Sequence, residues 1–386
     1  MKLLFACGGT GGHIFPAFSV AEELKKRDHG VEILYVCGKK DIENAIFKIA
    51  RGEKVLSVES APFGGALSLL NPVFLAKLAA GFSQSLGILR RERPDVVVGF
   101  GGYFAFPVIF MARFMGIRTL VHEQNVVPGI ANKFLAKFVD GAALSFSETA
   151  KYLPGCRNAR VTGNPIRSAI EKDTRQEALK FFNFSGDKIT FVVLGGSQGA
   201  ESINTVFLDS LKFLPAELLA KIQALHLCGK MPLERAEGAL RRAGISARVY
   251  SFFERMDLAY GVCDFAVGRA GATFLAEIGA KNIPGILIPY PYGSGHQLYN
   301  AQAFSRERDA VVAEQKGLSP EKLAGFLADF IRKAEQKRNS MPRGDRPPSS
   351  ARARLADFIL DVIARSEATK QSMSTEIASA AKVASQ

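Results

Sequence analysis

The sequence predicts an α/β protein built as two similar halves, each a parallel sheet covered by helices on both faces. Three observations lead there. Short β-branched runs alternate with longer helical patterns from the first residue, the signature of strands joined by helical crossovers. That alternation pauses once, between Arg160 and Pro165, and then begins again. Glycine pairs stand where the strand-like runs end, the positions at which such folds collect ligands. A chain of 386 residues, 47 % hydrophobic and 23 % charged, has apolar material for two full cores and excludes wholesale disorder.

In the first half, strands are expected over 3–7, 31–36, 55–58, 96–99, 119–122 and 141–145. In the second they are expected over 189–194, 224–228, 248–251, 265–268, 285–288 and 310–313. These runs divide the chain into domains at 1–163 and 164–336. Beyond them, NSMPRGDRPPSSARAR reads as a polar, proline-containing linker, and the residues from Ser349 to Arg365 suit one amphipathic helix. Residues 337–365 are therefore expected to be linker and C-terminal helix, and 366–386 a frayed or disordered tail. No short fixed repeat occurs, so the architecture is duplicated rather than solenoidal.

Four glycine-rich loops follow expected strands: CGGTGGH after the first, GFGGY from Gly99 to Tyr103 after the fourth, GGSQGA from Gly195 to Ala200, and GRAGATFLAE from Gly268 to Glu277. Glycine lets backbone approach a ligand closely, and the free N–H groups of a following helix bind anions. Four such loops at strand-to-helix junctions point to phosphate-bearing ligands.

The charge balance agrees. Lys plus Arg number 50 against 37 Asp plus Glu, a net +13, which favours anionic partners. The excess is +7 over 1–160, +1 over 161–331 and +5 over 332–386, so the second half has no basic stripe for nucleic acid. Other classes fail on their motifs. A dinucleotide fingerprint would need glycine at Ile14 and an acid after the second strand, where Cys37 and Gly38 stand. There is no P-loop, no D-x-D, no H-E-x-x-H and no zinc spacing. Cys7, Cys37, Cys156, Cys228 and Cys263 form no C-x-x-C pair, and four of them lie in or beside apolar runs, which reads as reduced thiols in a cytosolic chain. Glycines interrupt the N-terminal apolar run, so no export signal is expected. No membrane span is expected either, since the longest uncharged stretch, Val96 to Ala112, is too short and contains glycine and proline.

The segments GGTGGHIFPA, GFGGYFAFP, HEQN, TGNPIR, GGSQGA, RAGATFLAE and HQLYNA occur in this order. On them the chain closely resembles the MurG family, transferases that move N-acetylglucosamine from UDP-N-acetylglucosamine onto the undecaprenyl-pyrophosphoryl-muramoyl-pentapeptide intermediate of peptidoglycan. The match runs from Lys2 to roughly Gly325. The resemblance implies a GT-B fold, two Rossmann-like domains facing across a cleft, with the sugar nucleotide on the C-terminal domain and the lipid acceptor on the N-terminal one. It also implies inversion at the anomeric carbon, no cofactor or required metal, and peripheral action at the cytoplasmic face of the inner membrane. A GT-B diacylglycerol glycosyltransferase is the runner-up and a sugar-nucleotide epimerase a more distant one. A non-catalytic lipid-phosphate binding module would have no use for Glu123, Arg167 and Glu277 together.

Such a reaction needs a base for the attacking hydroxyl and donors for the departing diphosphate. His13 is the leading base: at the first turn of a helix, the positive dipole end disfavours imidazolium and keeps the ring able to accept a proton. It could instead donate to phosphate or cap its helix. Glu123 is the rival base, or orients a neighbour. Asn125 suits a sugar hydroxyl or acetamido group, or forms an Asx turn before Pro128. Arg167 could bridge to the diphosphate, and Ser197 could add its hydroxyl to the amides of its loop. Glu277 is expected to hold the ribose diol, Phe252 and Phe253 to line the uracil slot, and Gln297 to reach the donor sugar with Asn300 in support. Thr10, Gly11, Gly12, Tyr103, Ala272, Thr273 and His296 complete the expected substrate-binding set. Phe274 and Gly295 depart from the family pattern, where a small hydroxylic residue and an acid or amide are usual.

The acceptor's polyprenyl tail requires contact with the bilayer without spanning it. Leu69, Leu70, Val73, Phe74, Leu78 and Phe82 recur at mostly helical spacings, bordered by Lys77, Arg90, Arg91 and Arg93. Phe104, Phe106, Phe110 and Phe114 follow, with Arg113 and Arg118. Apolar surface rimmed by basic groups suits reversible adsorption to an anionic leaflet. At least half of these apolar residues are expected in the core, with Leu69, Leu70 and Phe74 the exposed ones.

Overall fold

The computed structural model describes residues 1–41, 52–61, 70–195, 199–292, 295–340 and 351–364. Leu69, Ser197 and the tail 366–386 lie outside the described residues. The chain divides into two compact units, one comprising Met1–Pro165 with Ser350–Gln386, the other Ile166–Ser349.

The first unit runs β1 (Lys2–Ala6), α1 (Gly11–Arg27), β2 (Glu32–Gly38), β3 (Lys54–Val58), α2 (Pro72–Glu92), β4 (Val96–Gly99), α3 (Ala105–Phe114), β5 (Arg118–Glu123), α4 (Ile130–Leu135), β6 (Gly141–Leu144) and β7 (Ala159–Val161). Its strands pair in the order β3-β2-β1-β4-β5-β6-β7, all parallel. Alternate residues of each strand feed opposite faces, as the two-residue period of a strand requires. Leu3, Phe5, Ile33, Tyr35, Val96 and Val98 pack under Ile14, Val20 and Leu24 of α1. Leu4, Ala6, Val36 and Val97 pack under Ile88 and Leu89 of α2 and Val108 and Ile109 of α3. β7 overlaps the start of the stretch read as a pause. Its three residues, Ala159, Arg160 and Val161, form an exposed or half-buried edge and carry no apolar run.

The second unit runs α5 (Ser168–Glu171), α6 (Arg175–Phe182), β8 (Ile189–Leu194), α7 (Glu201–Ser210), α8 (Ala216–Ala220), β9 (Ile222–Leu227), α9 (Leu233–Arg242), β10 (Ser246–Tyr250), α10 (Met256–Val262), β11 (Phe265–Gly268), α11 (Ala272–Ala280), β12 (Gly285–Leu287), α12 (His296–Glu307), β13 (Ala310–Val312) and α13 (Pro320–Ser340). Its strand order is β10-β9-β8-β11-β12-β13, again parallel. Helix α13 continues through residue 337, where the sequence reading begins a linker.

A final helix, α14 over 351–364, belongs to the first unit. Leu355, Phe358, Ile359 and Val362 complete the core under α1's face of the first sheet. Arg160 holds it from the edge strand, donating to Asp361 at 2.6 Å with its guanidinium 4.4 Å from the Phe358 ring. The Arg354 Nε donates to the Thr162 carbonyl at 2.9 Å. The first sheet is therefore closed by the far end of the chain.

In each sheet the chain leaves a central strand on one side and later returns on the other. These strands are β1, between β2 and β4, and β8, between β9 and β11. The crevice beyond the strand ends at such a reversal is where open α/β sheets bind ligands. It brings together GGTGGH with GFGGY in the first unit, and Gly195 at the end of β8 with GRAGAT in the second.

Candidate active site residues in the two units

In the first unit, α1 opens at Gly11, Gly12 and His13, the positive end of the helix dipole. Thr10 precedes them in extended conformation, its carbonyl accepting the His13 N–H at 3.0 Å. The His13 ring lies against the β4 loop: a Cβ on Gly101, whose φ is +102°, would sit 2.7 Å from His13 Cε1 and Nδ1. Only glycine admits that approach. His13 Nδ1 is 3.2 Å from Gln124 Oε1. Burial lowers the His13 pKa, with the Glu123 and Asp41 carboxylates and the hydrogen bonds pulling the other way. Desolvation is the largest of these causes and acts in the same direction as the helix-dipole argument made from the sequence.

Behind His13 the HEQN segment forms a buried polar network. Gln124 Nε2 donates to the Phe100 carbonyl at 2.6 Å and lies 3.0 Å from His122 Nδ1. His122 Nε2 is 3.3 Å from the Gly163 carbonyl. Glu123 has a different setting from that of a free base. One carboxylate oxygen accepts from Asn125 N and Nδ2 at 2.9 and 3.3 Å, the other from Gly129 N and Asn132 Nδ2 at 3.2 and 2.8 Å. With four donors on a carboxylate only 2 % exposed, Glu123 shapes the 125–129 turn and orients Asn125. Tyr103 stands half-exposed on the loop after β4.

In the second unit, Gly195 begins the loop after β8, where a Cβ would fall 2.2 Å from Ala200 N. Ser197 within that loop lies outside the described residues. The loop after β11 is held from below by Arg269. This buried guanidinium donates to the Ile288 and Pro289 carbonyls at 3.1 Å each, to Ser202 Oγ at 3.2 Å and to Gln315 Oε1 at 2.7 Å. Asn300, fully buried on α12, donates to the Ala270 carbonyl at 3.4 Å. Gly271 then leads into α11, whose first turn is Ala272, Thr273 and Phe274.

Further along α11, Glu277 is buried. Its Oε1 accepts from Arg167 Nη2 at 3.1 Å and its Oε2 from the Tyr260 hydroxyl at 2.8 Å. Burial pushes the Glu277 carboxyl up, opposed by Arg167 and by both hydrogen bonds. Gln297 Oε1 accepts the Tyr290 N–H at 3.0 Å, which anchors the loop after β12 to α12. His296, half-buried, is the first residue of α12. Phe253 packs among Tyr250, Phe181 and Phe182, with centroids 5.0, 6.0 and 5.4 Å away, and it is Phe252 that is exposed. Sequence reasoning did not single out His122, Gln124, Tyr260 and Arg269, which the structure places in hydrogen-bond contact with the candidate residues or their loops. The HEQN and RAGATFLAE segments contain three of them, whereas nothing near Tyr260 in sequence announces its carboxylate partner. Among the described residues no three His, Cys, Asp or Glu side chains converge as a metal site would require.

The first unit also exposes an aromatic face. Phe82, Phe110, Phe106, Phe134 and Phe138 form a chain of rings with successive centroids 5.6, 5.9, 5.7 and 5.1 Å apart. Phe114 and Ile130 are strongly exposed, and Arg113, Lys133 and Lys137 are exposed as well. One sequence expectation is corrected here. Phe74 is buried because it lies on the same side of α2 as the buried Gly81, Ser85 and Ile88, whereas Phe104, which the sequence did not single out as exposed, is buried against the first loop. Leu70 is exposed as expected, with Val73 and Leu75. Helix α2 is long and apolar enough to cross a membrane by length and composition, yet its second half packs inward through Gly81, Ser85, Ile88 and Leu89.

Residues 3–144 match the glycosyltransferase family 28 N-terminal domain, and residues 190–383 match the C-terminal domain of that family. A UDP-N-acetylglucosamine--N-acetylmuramyl-(pentapeptide) pyrophosphoryl-undecaprenol N-acetylglucosamine transferase from Syntrophus aciditrophicus is 39 % identical over 338 residues, 86 % of this chain and 90 % of that protein. One of the same description from Halothermothrix orenii is 38 % identical over 340 residues, with the same coverage of 86 % and 90 %. The crystal structure of Acinetobacter baumannii MurG superposes with a TM-score of 0.70 at 24 % identity, covering 93 % of this chain and 99 % of that one, and shows the shared fold.

Proposed function

The chain belongs to glycosyltransferase family 28, and from that premise we propose that it is an inverting transferase using UDP-N-acetylglucosamine. Its acceptor is the C4 hydroxyl of the muramoyl sugar in undecaprenyl-pyrophosphoryl-N-acetylmuramoyl-pentapeptide. The observation that carries this reading is the pairing of glycine loops at the reversal point of both sheets, in a chain 39 % identical to a transferase of that name. One reversal suits a sugar nucleotide and the other a lipid pyrophosphate, since both present anions to main-chain amides.

The chemistry follows from the residues. The acceptor oxygen attacks the anomeric carbon while the bond to the β-phosphate oxygen breaks, so the hydroxyl proton needs a base and UDP leaves with the electron pair. His13, neutral at pH 7 through burial, takes that proton. Asn125, oriented by Glu123, holds a sugar hydroxyl or the acetamido group, and Thr10, Gly11, Gly12 and Tyr103 line the acceptor pyrophosphate. In the second unit, the amides of Ala272 and Thr273 and the guanidinium of Arg167 stabilise the departing diphosphate. Glu277 has lone pairs left beside Arg167 and Tyr260 for the ribose diol. Phe252 and Phe253 border the uracil, Gln297 keeps its amide donors for the sugar, and His296 and Ser197 add polar contacts. These assignments rest on position and chemistry.

The aromatic face with its basic rim supports reversible attachment to an anionic bilayer at the cytoplasmic face of the inner membrane. Three cations at about 1 kcal/mol each assist insertion of rings without holding the protein permanently. The inward packing of half of α2 favours a helix lying at the surface over a spanning one. UDP release measured with each acceptor tests the function. Release that depends on the muramoyl lipid is expected, and release with diacylglycerol alone overturns the assignment.

A further inference from the structure

We infer that Gln124 and His122 are positioning residues that fix His13 in one tautomer, with the proton on Nδ1 and the lone pair on Nε2. The inference rests on the base role assigned to His13 and adds the device that orients it. The argument starts at a backbone carbonyl. Phe100 O can only accept, and it lies 2.6 Å from a terminal atom of Gln124, so that atom is the amide nitrogen. The other terminal atom is then the amide oxygen, which faces His13 Nδ1 at 3.2 Å and can only accept. His13 Nδ1 must therefore carry the hydrogen, and Nε2 is left to take a proton.

A second carbonyl checks the same chain from its far end. His122 Nε2 has two neighbours, the Gly163 carbonyl at 3.3 Å and the Ser145 hydroxyl at 3.4 Å; the carbonyl can only accept and the hydroxyl can accept as well, so Nε2 carries the hydrogen and Nδ1 bears the lone pair. That lone pair faces Gln124 Nε2 at 3.0 Å, which donates to it. The two histidines hold opposite tautomers, and a single amide orientation satisfies both. Gln124 and His122 are only 3 % and 0 % exposed, so water does not offer an alternative partner. A glutamate at position 124 could not donate to Phe100 or His122, which is why an amide rather than an acid stands behind this base.

The test begins with the resting enzyme. The chain has five histidines, and long-range proton–nitrogen correlation spectra of protein labelled with nitrogen-15 histidine distinguish protonated from lone-pair ring nitrogens. His13 is expected with its hydrogen on Nδ1 and His122 with its hydrogen on Nε2. Hydrogen on His13 Nε2, rapid exchange between tautomers, or a charged ring at pH 7 overturns the inference. Turnover gives the second readout. Gln124→Leu is expected to lower kcat roughly ten- to hundredfold, part of the range a positioned base contributes, with the KM for UDP-N-acetylglucosamine unchanged. Gln124→Glu is expected to move the acid limb of the kcat profile to higher pH, since a new carboxylate would join Glu123 and Asp41 near the ring while His122 stays neutral. A Gln124→Leu enzyme with wild-type kcat, or one altered only in donor KM, refutes the positioning role. Should His13→Ala retain wild-type turnover, the base assignment fails while the spectra still decide the tautomer.

Discussion

Phe358→Ala tests whether the end of the chain is structurally part of the first unit. Phe358 is 1 % exposed, and its ring tip comes within 2.6 Å of where a Cβ on Gly141 of β6 would stand. Arg160 covers its other side at 4.4 Å. Truncation removes a fully buried ring whose site is walled by sheet and cannot collapse, a change that costs about 3–5 kcal/mol. Loss of the ring beneath Arg160 adds about 0.5–1 kcal/mol. Against a domain stability of roughly 5–15 kcal/mol, this is a large share. Because the chain forms two units, one global transition is a poor measure, and hydrogen exchange read by mass spectrometry on separate peptides is the suitable assay. Peptides from β1, β4 and β6 should lose protection by that amount, while peptides from β8 and β11 keep theirs. A loss below about 1.5 kcal/mol in the first unit, or an equal loss in both, would refute the seating of α14 described above.

Three further expectations follow from the geometry. Glu277→Ala should weaken UDP binding about tenfold or more, because a carboxylate hydrogen bond to a diol is charge-assisted, and Tyr260→Phe should weaken it less; calorimetry showing unchanged affinity in Glu277→Ala removes the ribose role. Burial holds His122 and His226 neutral with pKa values of about 4 in the folded chain, against 6.5 when exposed. The unfolded chain therefore takes up protons first as pH falls, so stability is full above 6.5 and is lost towards 4, by about 3 kcal/mol per histidine. One lies in each unit, and denaturation midpoints that stay flat between pH 7 and 4 would contradict their burial. Phe114→Glu with Phe134→Glu should cut sedimentation with phosphatidylglycerol vesicles at least about tenfold, since each exposed ring contributes up to about 1.5–3 kcal/mol when inserted; undiminished sedimentation would dismiss the aromatic face as the attachment site.

Much of this was legible from one-dimensional pattern. Most strands are uncharged, largely apolar runs, so twelve of the thirteen among the described residues could be placed by composition, and β7 was missed because Arg160 interrupts the short edge run of Ala159, Arg160 and Val161. Glycine loops advertise themselves because backbone sterics demand glycine at a position such as Gly101. Their positions after strands then led to anion binding by local geometry alone.

Partnership between distant residues was not legible. His13 meets Gln124 across 111 positions, Arg167 meets Glu277 across 110, and α14 reaches β7 across 201. Nothing local records such contacts, because they are selected by which strands neighbour each other once the sheet order is set. For the same reason the sequence showed carboxylates and rings but not their roles. Whether Glu123 is a base or a brace depends on four donors arriving from its turn and from α4. Whether Phe74 or Phe114 meets water depends on the direction in which a packed helix turns its face.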